Sequence, residues 1–329
     1  MDRSIVFLFS GQGSQYFHMG EDLYRQQPRF RYWVDELDMK LFHMLGYSIC
    51  AYLFDDKKKK SEPFDQLMYS HPAIFILEVA MARFLMEKGI RPDYMLGASL
   101  GEYAAAAASG WLDTDRMLEF VAMQALWVEQ SCTEGRMLAI LHDRSLFEEM
   151  ELIRERSTLA ADNYVGHFVV SGETGDLKRI EQTLRTKGIA SQMLPVSYAF
   201  HSPLIDPVRE QVQQFASSVD SEAQVPHSVY CSSLPGGHAQ AAAEDHWWKV
   251  VREPIQFREA VSRLENRTDN GYLYIDLGPS GTLASFVRYN LPQQSRSEAL
   301  PLLSPFSQDS VLLDRLLHKI QDDKPIERV

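Results

Sequence analysis

Gly97-Ala98-Ser99-Leu100-Gly101 carries the sharpest chemical signal in the sequence. The GxSxG pattern alone is common, but here it lies between an apolar run, Tyr94 to Leu96, and an alanine-rich stretch, Glu102 to Ser109. That strand–turn–helix setting marks a candidate nucleophile elbow, because glycines flanking a serine permit a tight, strained turn. The turn lifts the hydroxyl clear of a sheet and sets it at a helix N-terminus. There, backbone N–H groups and the macrodipole favour developing negative charge. The plainer alternative is a glycine-rich turn in which Ser99 only caps the helix.

A serine nucleophile needs a base and an oxyanion hole. The histidines after Ser99 are His142, His167, His201, His227, His238, His246 and His318. His201 stands out by context. It follows a strand-like run, Gln192 to Val196, within Ser197-Tyr198-Ala199-Phe200-His201-Ser202-Pro203, and a loop at a strand end is where a positioned imidazole belongs. No acid flanks it, so a main-chain carbonyl is the expected orienting group. An esterase order Ser…Asp…His would instead recruit Asp276 and His318, although His318 lies in a terminal helical pattern without a motif. The N–H of Leu100 is one oxyanion donor by elbow geometry. Gly11-Gln12-Gly13-Ser14-Gln15 is the candidate source of the second. As a phosphate loop it lacks the Walker A or dinucleotide spacing.

The elements that must position these residues alternate. Ile5 to Phe9 reads as a buried strand of a parallel sheet, Pro72 to Lys88 as a helix, Tyr94 to Leu96 as a strand, and Thr114 to Glu129 as a helix. Later come strands at Val229 to Ser232 and Tyr272 to Leu277, and helices over Pro207 to Phe215 and after Asp309. Strands alternating with helices imply an α/β fold with a mainly parallel sheet. Between about Arg136 and Val196 the order becomes β-α-β-β-α-β, the split arrangement of a ferredoxin-like subdomain. The expected boundaries are a core of residues 1–135 and 200–329 and a subdomain of residues 136–199.

Composition narrows the function classes. The chain has 329 residues, a 45% hydrophobic share and a formal net charge of −12, which together argue for a sizeable core and against nonspecific binding to nucleic acid or anionic membrane. Cys50, Cys132 and Cys231 form no CxxC pair, so neither a zinc site nor a disulfide framework is expected, and buried structural thiols are. Lys57 to Lys60 reads as a solvated loop. The N-terminal apolar run is too short for a secretory signal, no stretch approaches a membrane span, and the cytoplasm is the expected compartment.

Taken together, the motifs resemble the malonyl-CoA:acyl-carrier-protein transacylase family, including the acyltransferase domains of polyketide and fatty acid synthases. The likeness runs through Phe9-Ser10-Gly11-Gln12-Gly13-Ser14-Gln15, Gly97-Ala98-Ser99-Leu100-Gly101-Glu102, Ala161-Asp162-Asn163, Ala199-Phe200-His201-Ser202 and Asp276-Leu277-Gly278-Pro279-Ser280-Gly281, in order. The resemblance implies an α/β hydrolase-like core with an inserted ferredoxin-like subdomain. It implies Ser99 as nucleophile, His201 as base, Gln12 and Leu100 at the oxyanion hole, and a carbonyl near Val250 orienting the histidine. It also places Gln124, Ala98, His71, Asn163 and Phe200 at the acyl pocket.

Three of these residues depart from the family pattern. Gln124 stands where members that handle malonyl groups carry a carboxylate-binding arginine, Ala98 where a histidine is usual, and His71 where a glutamine is usual. A neutral amide cannot form a charge-assisted fork with a carboxylate, so an acyl group without one is expected. By resemblance, the chain is similar to discrete acyl hydrolases that clear carrier proteins in polyketide pathways whose synthases lack built-in acyltransferases. Transfer of the acyl group to a carrier protein stays open, as does a catalytically idle docking scaffold. No bound cofactor or metal is expected. The expected substrate is an acyl group on a phosphopantetheine arm, as acyl carrier protein or acyl-CoA. The expected partners are the carrier-protein domains of a polyketide synthase, with the chain a monomer and neither nucleic acid nor membrane involved.

Overall fold

The computed structural model describes residues 3–220, 223–237, 245–306 and 308–323; His238 lies outside them. In chain order the strands are β1 (Ser4–Phe9), β2 (Tyr94–Gly97), β3 (Arg136–Ile140), β4 (Thr158–Tyr164) and β5 (His167–Gly172). They continue with β6 (Ser191–Met193), β7 (Val229–Ser232), β8 (Tyr272–Asp276) and β9 (Glu298–Pro301).

Five strands form an all-parallel sheet in the order β7-β2-β1-β8-β9. Val6, Phe7, Leu8 and Phe9 of β1 are fully buried, as a central parallel strand covered on both faces requires. Phe9 pairs with Gly97 at the ends of β1 and β2. The loops that follow these two strands therefore emerge side by side at the carboxyl edge of the sheet, where α/β folds place their ligands.

The remaining four strands form an antiparallel sheet in the order β4-β5-β3-β6, the split βαβ order. Its side chains divide by the two-residue period of a strand. Leu138, Ile140, Phe168 and Val170 pack under the helix Thr174–Thr186 through Leu177, Ile180 and Leu184. The alternate residues Met137, Ala139 and Val169 face the other way, toward the main core. A parallel bridge between Ala161 and Ile255, flanked by Ile255 N–H to Ala160 O (2.9 Å) and Asp162 N–H to Ile255 O (2.8 Å), ties this sheet to the rest of the chain.

Some elements differ from the sequence expectation for identifiable reasons. The helix expected from Pro72 runs instead over Leu67–Glu87, with Pro72 inside it. Proline has no N–H, so the Met68 carbonyl loses its intrahelical donor, and the Tyr47 hydroxyl supplies one at 2.6 Å. The expected strand Gln192 to Val196 shortens to Ser191–Met193, because Val196 N–H turns back onto Leu194 O. Strand β9 and the helices His246–Arg252, Phe257–Glu265 and Thr282–Asn290 went unread in the sequence. All are short elements whose apolar faces become meaningful only against the sheet. Among the described residues, no helix is long and apolar enough to cross a membrane.

The proline compensation is testable. Tyr47→Phe should leave the Met68 carbonyl without a donor and lower unfolding stability by about 1–2 kcal/mol. Urea denaturation should show a lower midpoint with an unchanged slope.

Candidate active site

The elbow forms as its glycines require. A Cβ on Gly101 would stand 2.1 Å from the Phe9 carbonyl oxygen, and one on Gly97 would stand 2.4 Å from the Glu102 Cα. Bare backbone at both positions lets the turn press onto β1. Ser99 takes the left-handed conformation, φ 53°, at a cost of about 1–2 kcal/mol for a residue with a Cβ. Ala98 N–H to Phe9 O (3.0 Å) and Glu102 N–H to Ser99 O (2.9 Å) hold the turn from both sides.

His201 arrives from 102 residues further along the chain, and the Ser99 hydroxyl lies 2.8 Å from its Nε2. His201 is also left-handed, φ 60°. Its N–H donates to Val251 O at 3.0 Å, and its Nδ1 sits 2.7 Å from Glu253 O. A carbonyl can only accept, so Nδ1 carries the proton and Nε2 offers its lone pair to Ser99. Burial lowers the imidazole pKa to about 4, and the neutral form prevails at pH 7.

The orienting carbonyl is that of Glu253 and not the expected Val250. Val250 lies inside the helix His246–Arg252, where carbonyls run along the helix axis. Glu253 is the C-cap, with ψ 154°, so its carbonyl swings out toward the imidazole. Pro254 follows it, and a residue before proline is pushed to this extended geometry. The Glu-Pro pair was the available sequence signal.

The loop after β1 abuts the elbow: a Cβ on Gly11 would lie 3.0 Å from both Ala98 O and the Ser99 Cβ. It is braced by Ser14 Oγ to Gly11 O (2.8 Å), Gly13 N–H to Gln15 Oε1 (2.7 Å) and Gln15 Nε2 to Phe64 O (3.0 Å). Beneath it, the buried Glu78 carboxyl takes Ser10 N–H at 2.6 Å. Desolvation holds Glu78 well above the usual carboxylate range.

A cavity of about 450 Å³ is lined by Ser99, His201, Gln12, Leu100, Gln124, Ala98, His71, Asn163, Phe200 and Val250, every site residue expected from the sequence. Val250 contributes there as a wall residue. Gln124 donates from Nε2 to the Tyr103 hydroxyl at 2.7 Å. Asn163 Nδ2 lies 3.1 Å from His167 Nδ1, and both residues line the cavity. His71 packs against Phe200 at 5.5 Å between ring centroids, and burial lowers its pKa to about 3, so it too is neutral. The Gln12 amide and both His71 ring nitrogens are buried without a hydrogen-bond partner among the described residues.

The sequence did not point to Tyr103, Met137, Leu194 or Phe286, which are among the further wall residues. Of these, only Tyr103 had a signal, at one helical turn past the nucleophile. The described lining holds no Asp, Glu, Lys or Arg side chain. Asp276 spends its carboxylate on Gly278 N–H (2.9 Å) and Ala284 N–H (2.8 Å), and His318 is absent from the cavity. The Ser…Asp…His alternative is therefore not assembled. Cys132 and Cys231 are pushed up to about 11, and Cys50 further, all mainly by burial, so the three thiols stay protonated. No cluster of metal-binding side chains occurs among the described residues.

A family model described as the acyl transferase domain matches residues 6–320. The chain belongs to that family. The polyketide biosynthesis acyltransferase homolog BaeD of Bacillus velezensis is 43% identical over 316 residues, covering 96% of each chain. The homolog PksD of Bacillus subtilis is 42% identical over 309 residues, covering 94% of each. Among solved structures, the acyl transferase domain of SpnD in complex with 2-(pent-4-yn-1-yl)malonyl superposes with a TM-score of 0.87. It is 27% identical, and the match covers 98% of this chain and 77% of that one. That solved acyl transferase domain shares the α/β architecture described above.

The protonation state is open to direct measurement. In an NMR titration of ¹⁵N-histidine-labelled protein, His201 should stay neutral, protonated on Nδ1, as pH falls through 6.5, and should gain its second proton near pH 4. Titration near 6.5 would contradict the burial argument.

Proposed function

We propose that this acyl transferase family member acts on acyl thioesters of carrier proteins through an acyl-Ser99 intermediate, and that it releases the acyl group to water. The observation that carries the reading is a Ser99–His201 pair at 2.8 Å opening on a cavity without a charged side chain among its described lining residues. As the Ser99 oxygen attacks the thioester carbonyl, its proton passes to His201 Nε2, while Glu253 O keeps the Nδ1–H in place. The N–H groups of Gln12 and Leu100 receive the oxyanion. The C–S bond then breaks and the thiol leaves with the proton from His201. Water attacks the ester in the second half, giving its proton to the same nitrogen, and Ser99 is restored with release of a carboxylic acid.

The acyl preference follows from Gln124. Burying a carboxylate in this neutral cavity, without a cation to pair it, costs roughly 3–5 kcal/mol, or about two to four powers of ten in rate. An acyl group lacking a terminal carboxylate meets no such penalty. The relatives named for polyketide biosynthesis support placing the chain in such a pathway, with synthase carrier proteins as partners and a phosphopantetheine arm delivering the thioester. On this reading the chain works in the cytoplasm as a clearing enzyme. Residues 1–135 and 200–329 form the chemical core, and residues 136–199 form a subdomain that closes the acyl pocket.

The decisive experiment offers acetyl- and malonyl-loaded carrier protein, with and without a second, unloaded carrier protein. We expect free acetate as the main product and malonyl release slower by about a hundredfold or more. Ser99→Ala should form no acyl adduct by intact-protein mass spectrometry. Gln124→Arg should raise malonyl handling relative to acetyl. Preferential loading of the second carrier would establish transfer in place of hydrolysis, and rapid malonyl turnover by the parent would overturn the Gln124 argument. A docking scaffold would give neither adduct nor turnover.

A further inference from the structure

Glu102 sits one helical turn beyond Ser99, on the helix Gly101–Ala108, and is buried without a cationic partner among the described residues. Its Oε1 accepts from Ser232 Oγ (2.9 Å), Ser233 N–H (2.8 Å) and Ser233 Oγ (2.9 Å). Its Oε2 accepts from the Tyr230 hydroxyl, whose oxygen also lies 3.0 Å from His246 Nε2. These contacts lead to two places. His246 is the first residue of the helix His246–Arg252. Ser233 O accepts Gln256 N–H at 2.7 Å, just past the end of that helix. Between the two lie the Val251 and Glu253 carbonyls, which hold the His201 N–H and Nδ1–H.

We propose that Glu102 is a positioning residue for the His201 base: its carboxyl group clamps both ends of the helix whose C-terminal carbonyls orient the imidazole. The inference rests on the reading of Ser99 and His201 as nucleophile and base. The helix that presents the nucleophile thereby also sets the stance of the group that deprotonates it. A solvent-exposed acid could not do this, since water would compete for every donor. The segment after the helix has a second tie, Ile255 to β4, so losing the clamp should misalign the imidazole and not release it.

The glutamine variant supplies the control. In Glu102→Gln the amide oxygen can keep the Ser232 and Ser233 donors, while the amide N–H donates to the Tyr230 oxygen and Tyr230 turns its own proton to His246. Glu102→Ala removes all of these bonds. Well below the unfolding temperature, Glu102→Ala should lower kcat on an acyl thioester by about ten- to a hundredfold, the scale of a misplaced catalytic group. KM should stay within about twofold, because no substrate contact is touched. The downfield Nδ1–H resonance of His201 should shift or vanish, and Glu102→Gln should restore both rate and resonance. The resonance reports on positioning without turnover. Failure of the functional reading would show as an inactive, adduct-free parent whose His201 signal still responds to Glu102→Ala.

A folded Glu102→Ala protein with parental kcat and an unmoved His201 resonance would overturn the proposal. So would a Glu102→Gln protein as impaired as the alanine variant. Should Glu102→Ala fail to fold, Tyr230→Phe takes its place, removing the hydroxyl that joins Glu102 to His246 and leaving the Ser232 and Ser233 donors in place. It should lower kcat several-fold at constant KM and shift the same resonance, and no change in either would refute the clamp.

Discussion

Ser99 and His201 both occupy left-handed backbone conformations that disfavour residues with a Cβ, and their side chains meet at 2.8 Å across 102 residues of chain. Neither conformation is stable on its own account. Each is held because the surrounding backbone leaves no alternative. The elbow is pinned between β1 and the helix it begins, and the histidine is pinned by Val251 and Glu253. Strain that persists in this way requires an over-determined setting. Every other feature of the site, from the glycines that vanish into β1 to the Glu-Pro turn, serves that one contact.

The setting is built with buried carboxyl groups used as hydrogen-bond acceptors. Glu78 gathers the Ser10 N–H and hydroxyl below the loop after β1. Glu102 gathers the end of β7, and Asp276 gathers Gly278 and the start of the helix Thr282–Asn290. Burial pushes Glu102 up to about 7 and Asp276 to about 6, against the pull of their donors. Acids held this way stiffen the loops around the cavity. The cavity itself stays neutral, with His71 and His201 both held uncharged by desolvation. A neutral enclosure strengthens a few aligned dipoles, and it penalises a substrate that brings a charge of its own.

Much of the fold was legible because parallel strands and long helices carry their own signatures. Ile5 to Phe9 is a continuous apolar run, and Leu177, Ile180 and Leu184 keep helical spacing, so the two sheets could be anticipated as separate units. Short elements such as Phe257–Glu265 and Glu298–Pro301 have too few residues for a period to show. Pro72 misled, because a proline normally opens a helix, and here the Tyr47 hydroxyl supplies the donor that its interior position removes.

Residue identity determined by itself the elbow, the candidate base and the absence of a cation at position 124. These depend on side-chain type and local spacing, which a chain carries before it folds. The tertiary structure decided which carbonyl holds His201, how Gln124 is engaged by Tyr103, and that the cavity walls combine the antiparallel sheet with the loops at the carboxyl edge of the parallel one. Those facts depend on how distant backbone segments come to lie against one another. A carbonyl is the same group at Val250 as at Glu253 until a helix ends between them.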